Sequence, residues 1–230
     1  KQLIPFFGGK VLTEIRPHDV EIFRAQRKKK DGSKPSIQTV NNDHIVLKHC
    51  LNVAIRRGLL QVNPATRVPL PDPQNARDRV LTEEEWSKLY QAAKPHLRPV
   101  LLTAYQLGQR LSEIVGLTWD RIDLKRGFIT LRSQDTKTKK PRQVPMTPDV
   151  KATLQRLAKV RSLSTRHVFL YNREPLRDFR TAFRTALTEA GLSDFRFHDL
   201  RHCAATNLRR AGIDTTTAMQ IVGHTSPQMW

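Results

Sequence analysis

A proline-rich stretch divides the sequence into two parts. Residues 68–75 read VPLPDPQN, with proline at the alternate positions 69, 71 and 73. Because proline cannot continue a helix, this stretch favours an extended path. We therefore predict a linker over 68–79, a small N-terminal domain over 1–67 and a larger domain over 80–230.

Apolar periodicity predicts helices in the small domain. Four residues recur at helical spacing in a helix predicted over 35–57, and we expect them to form its apolar stripe: Val46, Cys50, Val53 and Ala54. A helix predicted over 18–30 ends in the basic run RKKK. The small domain is thus expected to be all-helical with basic edges.

The larger domain mixes helical patterns with one strand pattern. Segments 128–131 (FITL) and 143–146 (QVPM) flank a polar, lysine-rich turn at 133–141, which predicts a β-hairpin. Helical patterns surround it, including one over 198–210. The predicted fold class is mainly α with a small antiparallel β-hairpin or sheet (α+β).

The charge balance points to a polyanionic partner. Lysine and arginine total 40 against 21 aspartate and glutamate, which gives a net charge of +19 and a pI near 10.7. The sequence has no apolar run of the roughly 18 residues that a membrane span requires. The basic residues are spread over many predicted helices, so nucleic acid is the better candidate than a membrane surface.

The sequence holds two cysteines, Cys50 and Cys203, too few for a disulfide framework or a zinc ligand set. This usage fits a reducing, cytosolic compartment. The sequence begins at Lys1 and shows no signal peptide, and we expect a trimmed or partial chain.

The segment FHDLRH, at 197–202, holds a histidine and an arginine three residues apart. On a helix, His198 and Arg201 would project from one face. Arginine presents a planar fork of donors that fits two phosphate oxygens, and histidine can move a proton near neutral pH. An isolated H-x-x-R is usually a surface charge pair, but segments around Arg110 and His224 supply groups of the same kind.

The candidate catalytic groups of the larger domain form a set. It consists of Arg110, a lysine of TKTKK at 136–140, His198, Arg201 and His224. No carboxylate cluster suited to a divalent metal lies nearby in the sequence. We therefore expect no metal and no other cofactor.

Three segments resemble the conserved boxes of the tyrosine recombinases, also called the phage integrase family. They are LGQRLSEIVGLTW at 107–119, HDLRHCAAT at 198–206 and IVGHTS at 221–226. Their order, with a lysine-bearing hairpin between the first and second, is specific to this family. The N-terminal part resembles, more weakly, the family's core-site DNA-binding domain.

The resemblance assigns roles to the arginines and histidines. Arg110 and Arg201 would clamp the non-bridging oxygens of the scissile phosphate, where charge builds in the transition state. His198 and His224 would hydrogen-bond the same phosphate. His198 is also a candidate acceptor of the nucleophile's proton.

The hairpin lysine and one carboxylate complete the implied site. Lys137 would protonate the departing 5′ oxygen, with Lys139 and Lys140 as competing candidates. Glu113 would orient a cationic side chain, although an ordinary surface charge on its helix is the alternative interpretation.

The family's nucleophile is a tyrosine about nine residues after the histidine of the third box. In this numbering it would fall three residues past Trp230. The tyrosines present, Tyr90, Tyr105 and Tyr171, are interpreted as structural. We therefore expect the 230-residue chain to bind DNA without cleaving it.

The implied reaction is site-specific recombination through a 3′-phosphotyrosyl intermediate, without metal or ATP. The implied partners are double-stranded DNA core sites and further copies of the chain, as a tetramer in the synapse. A bacterial or phage-encoded, cytoplasmic protein of a mobile element fits. The alternatives are a catalytically inactive, recombinase-like DNA-binding protein and a type IB topoisomerase.

Overall fold

Backbone contacts group the chain into two compact units, Lys1–Ala76 and Arg77–Trp230, in this computed structural model. The structure describes residues 2–74, 79–135 and 140–223. Each unit has an apolar core of its own.

The first unit is helical, with α1 at Ile4–Phe7, α2 at Pro17–Gln26 and α3 at Ile37–Arg56. Apolar side chains of these helices form its core, together with residues that follow α3: Phe7, Val20, Phe23, Leu47, Leu51, Ala65 and Val68. The rings of Phe7 and Phe23 lie 5.4 Å apart between centroids. Aromatic packing of this kind joins α1 to α2.

Helix α3 agrees with the helix predicted over 35–57, but its predicted apolar stripe is confirmed only in part. Ala54 is buried and Val53 is half-buried, whereas Val46 is 52% exposed and Cys50 is also exposed. The buried positions of α3 are Asn41, His44, Leu47, Leu51 and Ala54. The buried face includes two polar residues, which a search for apolar periodicity does not count.

The basic run RKKK at 27–30 lies outside the helix, contrary to the prediction. Helix α2 ends at Gln26, and Arg27 is extended, with φ −61° and ψ 121°. The Nε of Arg27 donates to Asp43 at 2.7 Å, and the amide of Lys29 donates to the carbonyl of Ser33 at 2.8 Å. These contacts hold the segment in a turn that competes with another helical turn.

The proline-rich stretch begins against the first unit. Val68 is buried in that unit's core. The Nδ2 of Asn41 donates to the carbonyl of Pro71 at 2.8 Å. Helix α3 therefore holds the first part of the stretch by a buried amide.

The second unit consists of seven helices, among its described residues, and two small sheets. The helices are α4 at Glu83–Ala92, α5 at Arg98–Leu107, α6 at Leu111–Val115, α7 at Pro148–Lys159, α8 at Arg180–Glu189, α9 at Asp199–Arg210 and α10 at Thr215–Val222. Side-chain oxygens of Thr82, Thr147 and Asp214 accept backbone N–H groups at the starts of α4, α7 and α10. These caps satisfy donors that the helices leave unpaired.

The larger sheet is antiparallel, in the order β1-β2-β3. Its strands are β1 at Ile122–Asp123, β2 at Phe128–Leu131 and β3 at Arg142–Pro145, and β4 at Leu170–Tyr171 pairs with β5 at Glu174–Pro175. The predicted hairpin is confirmed as β2 and β3, with Leu131 opposite Arg142. A mainly helical chain with small antiparallel sheets confirms the predicted fold class.

Helix α9 packs against both α5 and α10, and α10 also contacts β3. Helix α5 ends at Gly108, which has the left-handed φ of 64°. A Cβ at Gly108 would lie 3.0 Å from the Cβ of Ala204 and 3.1 Å from a methyl of Val222. The glycine therefore allows α9 and α10 to approach the turn between α5 and α6, where Arg110 lies.

Candidate functional site

Two arginines from distant parts of the second unit meet at one carbonyl oxygen. Arg201, on α9, is 3% exposed and donates to the carbonyls of Gly108 at 2.7 Å, Gly223 at 3.0 Å and Val222. Arg110 also donates to the carbonyl of Gly223, at 3.0 Å. The two guanidinium groups thus lie side by side at the end of α10.

Helix ends explain why these side chains converge. The last carbonyls of a helix have no partner within it and carry partial negative charge. Helix α10 ends with the carbonyls of Val222 and Gly223 directed at Arg201, and α5 contributes the carbonyl of Gly108. Arg110 stands at the N-cap of α6, immediately after the turn.

Glu113 lies behind Arg110, with a side chain that has no solvent exposure. Its carboxylate accepts the amide of Arg110 at 2.9 Å and the Nη1 of Arg110 at 3.0 Å. Burial alone would raise the pKa of Glu113, but the hydrogen bonds and positive charge of Arg142, together with Arg110, lower it below its ordinary value. Glu113 is therefore an anion at neutral pH.

Arg142, on β3, is a third arginine of the cluster, and the sequence analysis missed it. Its Nη2 donates to Glu113 at 2.8 Å and to the side-chain oxygen of Gln109 at 2.9 Å. Its Nη1 donates to the other oxygen of Glu113 at 3.3 Å. The available signal was strand alternation, since Arg142 shares a face with Val144, which is fully buried.

The cluster carries more positive than negative charge. Arg110 and Arg142 bond to the carboxylate of Glu113, and Arg201 lies beside Arg110. Burial, followed by the positive charge of Arg110, lowers the pKa of Arg201 to about 9. An anion bound at the cluster would oppose this lowering, because a nearby negative charge favours the protonated guanidinium.

His198 immediately precedes α9 and is exposed. Its ring lies 5.8 Å from that of His202 between centroids. Burial by neighbouring atoms lowers the pKa of His198, and the charges of Arg201, His202 and Arg110 lower it further. A neutral imidazole beside a cationic cluster can accept a proton.

Two predicted site residues, Lys137 and His224, lie outside the described residues, as does the competing Lys139. Lys140 is described, is exposed and precedes β3. The described chain reaches Gly223, the residue before His224.

The three tyrosines contact other parts of the second unit. Tyr105 stacks on Trp86 at 3.9 Å between centroids, and Tyr90 contacts the same indole at 5.4 Å. Tyr171 packs on His96 at 4.4 Å. These aromatic contacts place the tyrosines on α4, α5 and β4, outside the arginine cluster.

Within residues 2–74, 79–135 and 140–223, no three histidine, cysteine, aspartate or glutamate side chains are grouped so as to hold a metal ion. In the same ranges, no helix is both long and apolar enough to cross a membrane.

Comparison with known families gives one match. The family profile described as the phage integrase family matches residues 79–230. The matched range contains every member of the arginine cluster.

Several curated proteins are similar along most of the chain. The integrase of Salmonella phage P22 is 27% identical over 212 residues, which are 85% of this chain and 54% of that protein. The shufflon-specific DNA recombinase of Escherichia coli is 28% identical over 227 residues, 95% of this chain and 57% of that protein. Tyrosine recombinase XerC of Mycobacterium tuberculosis is 30% identical over 194 residues, 75% of this chain and 64% of that protein. The chain thus spans little more than half the length of the first two relatives.

Solved structures share the fold. A lambda integrase dimer bound to a COC′ core site matches with a TM-score of 0.81 and 21% identity, over 100% of this chain and 86% of that chain. The Tn1549 transposon integrase in complex with circular intermediate DNA matches with a TM-score of 0.77 and 20% identity, over 96% and 81%. A lambda integrase tetramer bound to a Holliday junction matches with a TM-score of 0.73 and 21% identity, over 94% and 66%.

Proposed function

The chain belongs to the phage integrase family, and on that premise we propose that it is the core of a site-specific DNA recombinase. The observation that carries the proposal is the meeting of Arg110 and Arg201 at the Gly223 carbonyl, with more cationic than anionic groups around them. A phosphodiester of duplex DNA is the anion for which such a cluster is suited.

In this proposal Arg110 and Arg201 bind the non-bridging oxygens of the scissile phosphate. Charge on those oxygens grows as phosphorus becomes pentacoordinate, so fixed donors lower the barrier. His198 accepts the proton of the attacking hydroxyl. His224 hydrogen-bonds the phosphate, and Lys137 protonates the departing 5′ oxygen.

The proposed reaction passes through a 3′-phosphotyrosyl bond. The phenol oxygen attacks phosphorus and the 5′ oxygen leaves, and later the 5′ hydroxyl of a partner strand attacks and releases the phenol. The energy of the phosphodiester stays in the covalent link, so neither step needs ATP or a metal. Because Tyr90, Tyr105 and Tyr171 pack into other aromatic contacts, we propose that none of them is the nucleophile.

Duplex DNA is the proposed partner of both units, with 1–67 as a core-site-binding domain, 68–79 as the linker and 80–230 as the catalytic domain. The net charge of +19 supplies phosphate contacts. By analogy with the DNA-bound dimer and tetramer of lambda integrase, we propose that four copies act on two sites.

The decisive experiment separates phosphoryl transfer from the supply of a nucleophile. The substrate is a nicked duplex with randomised flanking sequence, a 3′ phosphate esterified to p-nitrophenol and a free 5′ hydroxyl across the nick. The 5′ oxygen attacks phosphorus and p-nitrophenolate leaves with its electron pair, which imitates tyrosine release. We expect the 230-residue chain to accelerate joining, measured by absorbance and by ligated strand.

Variants of the phosphate clamp, which is formed by Arg110 and Arg201, test whether this site carries out the joining reaction. Arg110→Ala and Arg201→Ala should each slow joining by about 10²–10³-fold. Arg98→Ala is the matched control, because Arg98 is also partly buried and donates to two carbonyls, at a place outside the cluster.

Two results would contradict the proposal. A wild-type chain that binds the duplex but leaves the joining rate unchanged would favour the inactive DNA-binding protein. A covalent protein–DNA adduct formed by the 230-residue chain on an intact duplex would show that one of its own tyrosines is the nucleophile.

A further inference from the structure

We propose that Arg142 is a positioning residue of this site, which holds Glu113 so that Arg110 remains available to the phosphate and fixes the backbone immediately before His224. The inference rests on the proposed function, because it assigns Arg142 to the support of that phosphate site. It adds a third arginine whose role comes from contacts with the clamp.

Arg110 and Arg142 share the carboxylate of Glu113. Arg142 donates to Glu113 Oε2 at 2.8 Å and to Oε1 at 3.3 Å, whereas the side chain of Arg110 donates to Oε1 at 3.0 Å. A buried carboxylate with Arg110 as its sole partner would attract that guanidinium with its full charge. Arg142 shares in compensating this charge. Hydrogen bonds within the described part of the chain occupy only two of the five N–H groups on the Arg110 side chain.

Arg142 also contacts the end of α10. Gly223 has φ 82°, and a Cβ there would lie 2.6 Å from the Cζ of Arg142 and 2.8 Å from both terminal nitrogens. The guanidinium therefore lies directly against the Gly223 backbone. Arg142 also donates to the carbonyl of Val222 at 3.4 Å. Arg142 thus helps to hold the backbone of Val222 and Gly223 at the end of α10.

Arg142 lies at the base of the hairpin formed by β2 and β3. It opens β3 and pairs with Leu131, the last residue of β2. The segment between these two residues contains Lys137. One side chain thereby joins the base of the lysine-bearing hairpin to Gln109 and Glu113 of the first box.

Direct binding of phosphate by Arg142 is the competing interpretation. Its side chain is 12% exposed, against 19% for Arg110, and both terminal nitrogens already donate to Glu113, with Nη2 also donating to Gln109. Its Nε is buried and has no hydrogen-bond partner among the described residues. Because its terminal nitrogens already donate to Glu113 and Gln109, the Arg142 side chain supports the neighbouring Arg110 and does not bind the phosphate itself. We therefore assign Arg142 a positioning role.

The test uses the nicked p-nitrophenyl substrate with Arg142→Gln, Glu113→Gln, the double variant and Arg98→Ala as control. We expect Arg142→Gln to slow joining at saturating enzyme by about 10–100-fold, the size of effect that a misplaced catalytic group produces. The dissociation constant for the duplex should change by less than about threefold, because the remaining basic surface supplies the phosphate contacts.

The double variant distinguishes positioning from simple loss of stability. Removing the charge of Glu113 from Arg142→Gln frees Arg110, so the double variant should join faster than Arg142→Gln. A double variant slower than Arg142→Gln, or an Arg142→Gln variant as fast as wild type, would overturn the inference and leave the proposed function intact if Arg110→Ala remains slow.

A second measurement tests the contact of Arg142 with Glu113 even if the wild-type chain joins no DNA. The lowered pKa of Glu113 stabilises the folded chain above the unfolded value of 4.5, and this stabilisation is lost as pH falls below it. Subtracting the pH curve of Glu113→Gln from that of wild type isolates this loss. The same difference taken in the Arg142→Gln background should shrink, and an unchanged difference would overturn the inference.

Discussion

Each unit holds an arginine among buried polar side chains, half-buried in the first unit and fully buried in the second, but the two networks balance charge differently. In the first unit, Arg24 donates to Asn41 Oδ1 at 2.9 Å and faces the Nδ1 of His44 at 3.0 Å. Both partners are uncharged, and they bond in turn to the carbonyls of Pro71 and Ala65. In the second unit, Arg110 and Arg142 bond to the carboxylate of Glu113, and Arg201 meets Arg110 at the Gly223 carbonyl.

The difference separates a network that supports the fold from one that suits a ligand. In the first, the protein supplies a partner for each nitrogen of His44 and for the amide of Asn41. In the second, an excess of cations is held in place by helix-end carbonyls, and burial, followed by the charge of Arg110, lowers the pKa of Arg201. A stable fold gains nothing from that excess, whereas an anion-binding site requires it.

Removing the carboxylate of Glu113 from the second network should have the largest effect. We expect Glu113→Gln to lower the free energy of unfolding of the second unit by about 3–5 kcal/mol, because it leaves buried arginines uncompensated. Urea titration followed by tryptophan fluorescence measures this unit, since every tryptophan lies beyond residue 76. A loss of unfolding free energy under about 1 kcal/mol would mean that solvent already screens the charges of the cluster.

Breaking the first network should cost less. Arg24→Ala leaves a buried amide oxygen and a buried imidazole nitrogen without partners, which should lower the free energy of unfolding of the first unit by about 2 kcal/mol. Amide hydrogen exchange over α3 measures the loss. Tryptophan-detected unfolding of the second unit serves as the control and should not change.

Acid should weaken the first network selectively. Burial lowers the pKa of His44, the hydrogen bond to Ala65 partly offsets this, and Arg24 lowers it further. The folded state therefore prefers the neutral ring, so this stabilisation is present above the unfolded value of 6.5 and declines as pH falls below it.

The expected slope is up to about 1.4 kcal/mol per pH unit, and hydrogen exchange over α3 at pH 7.5, 6 and 5 measures it. His44→Gln should flatten the dependence, and His49→Gln, on the exposed part of α3, should leave it unchanged. An equal slope in wild type and His44→Gln would contradict the assignment.

Sulfate should produce the smallest difference. At matched ionic strength with chloride, we expect it to stabilise the second unit by about 1 kcal/mol more than the first, through mass-action binding at the cluster. Arg110→Ala should abolish the excess. General salting-out acts on both units and cancels in the comparison, so equal effects on both would contradict an anion site.

The sequence predicts the elements of this chain better than the faces of those elements. The hairpin, α3 and α9 follow from periodicity and turn residues. Arg110 and Arg201 are 91 positions apart, and only the family resemblance brought them together. Local patterns contain no information about contacts at that separation.

The missed residues share one physical cause, which is that burial of a polar side chain depends on distant partners. Arg142 follows a lysine-rich turn and looks solvent-exposed until Glu113 and Gln109 are placed beside it. His44 and Asn41 interrupt an apolar pattern, so the predicted stripe of α3 included the buried Ala54 but missed most of the buried face. In each case a tertiary hydrogen bond outweighed the local preference.

The two left-handed glycines that end α5 and α10 have a consequence for the tolerance of this sequence to change. Gly108 is crowded by Ala204 and Val222, and Gly223 by the guanidinium of Arg142. Neither glycine carries a functional group, yet the carbonyl of Gly108 accepts from Arg201 and that of Gly223 accepts from both Arg110 and Arg201. In a saturation mutagenesis screen they would score as severely as the arginines themselves, so intolerance in this family marks the backbone that arranges charge as well as the side chains that bear it.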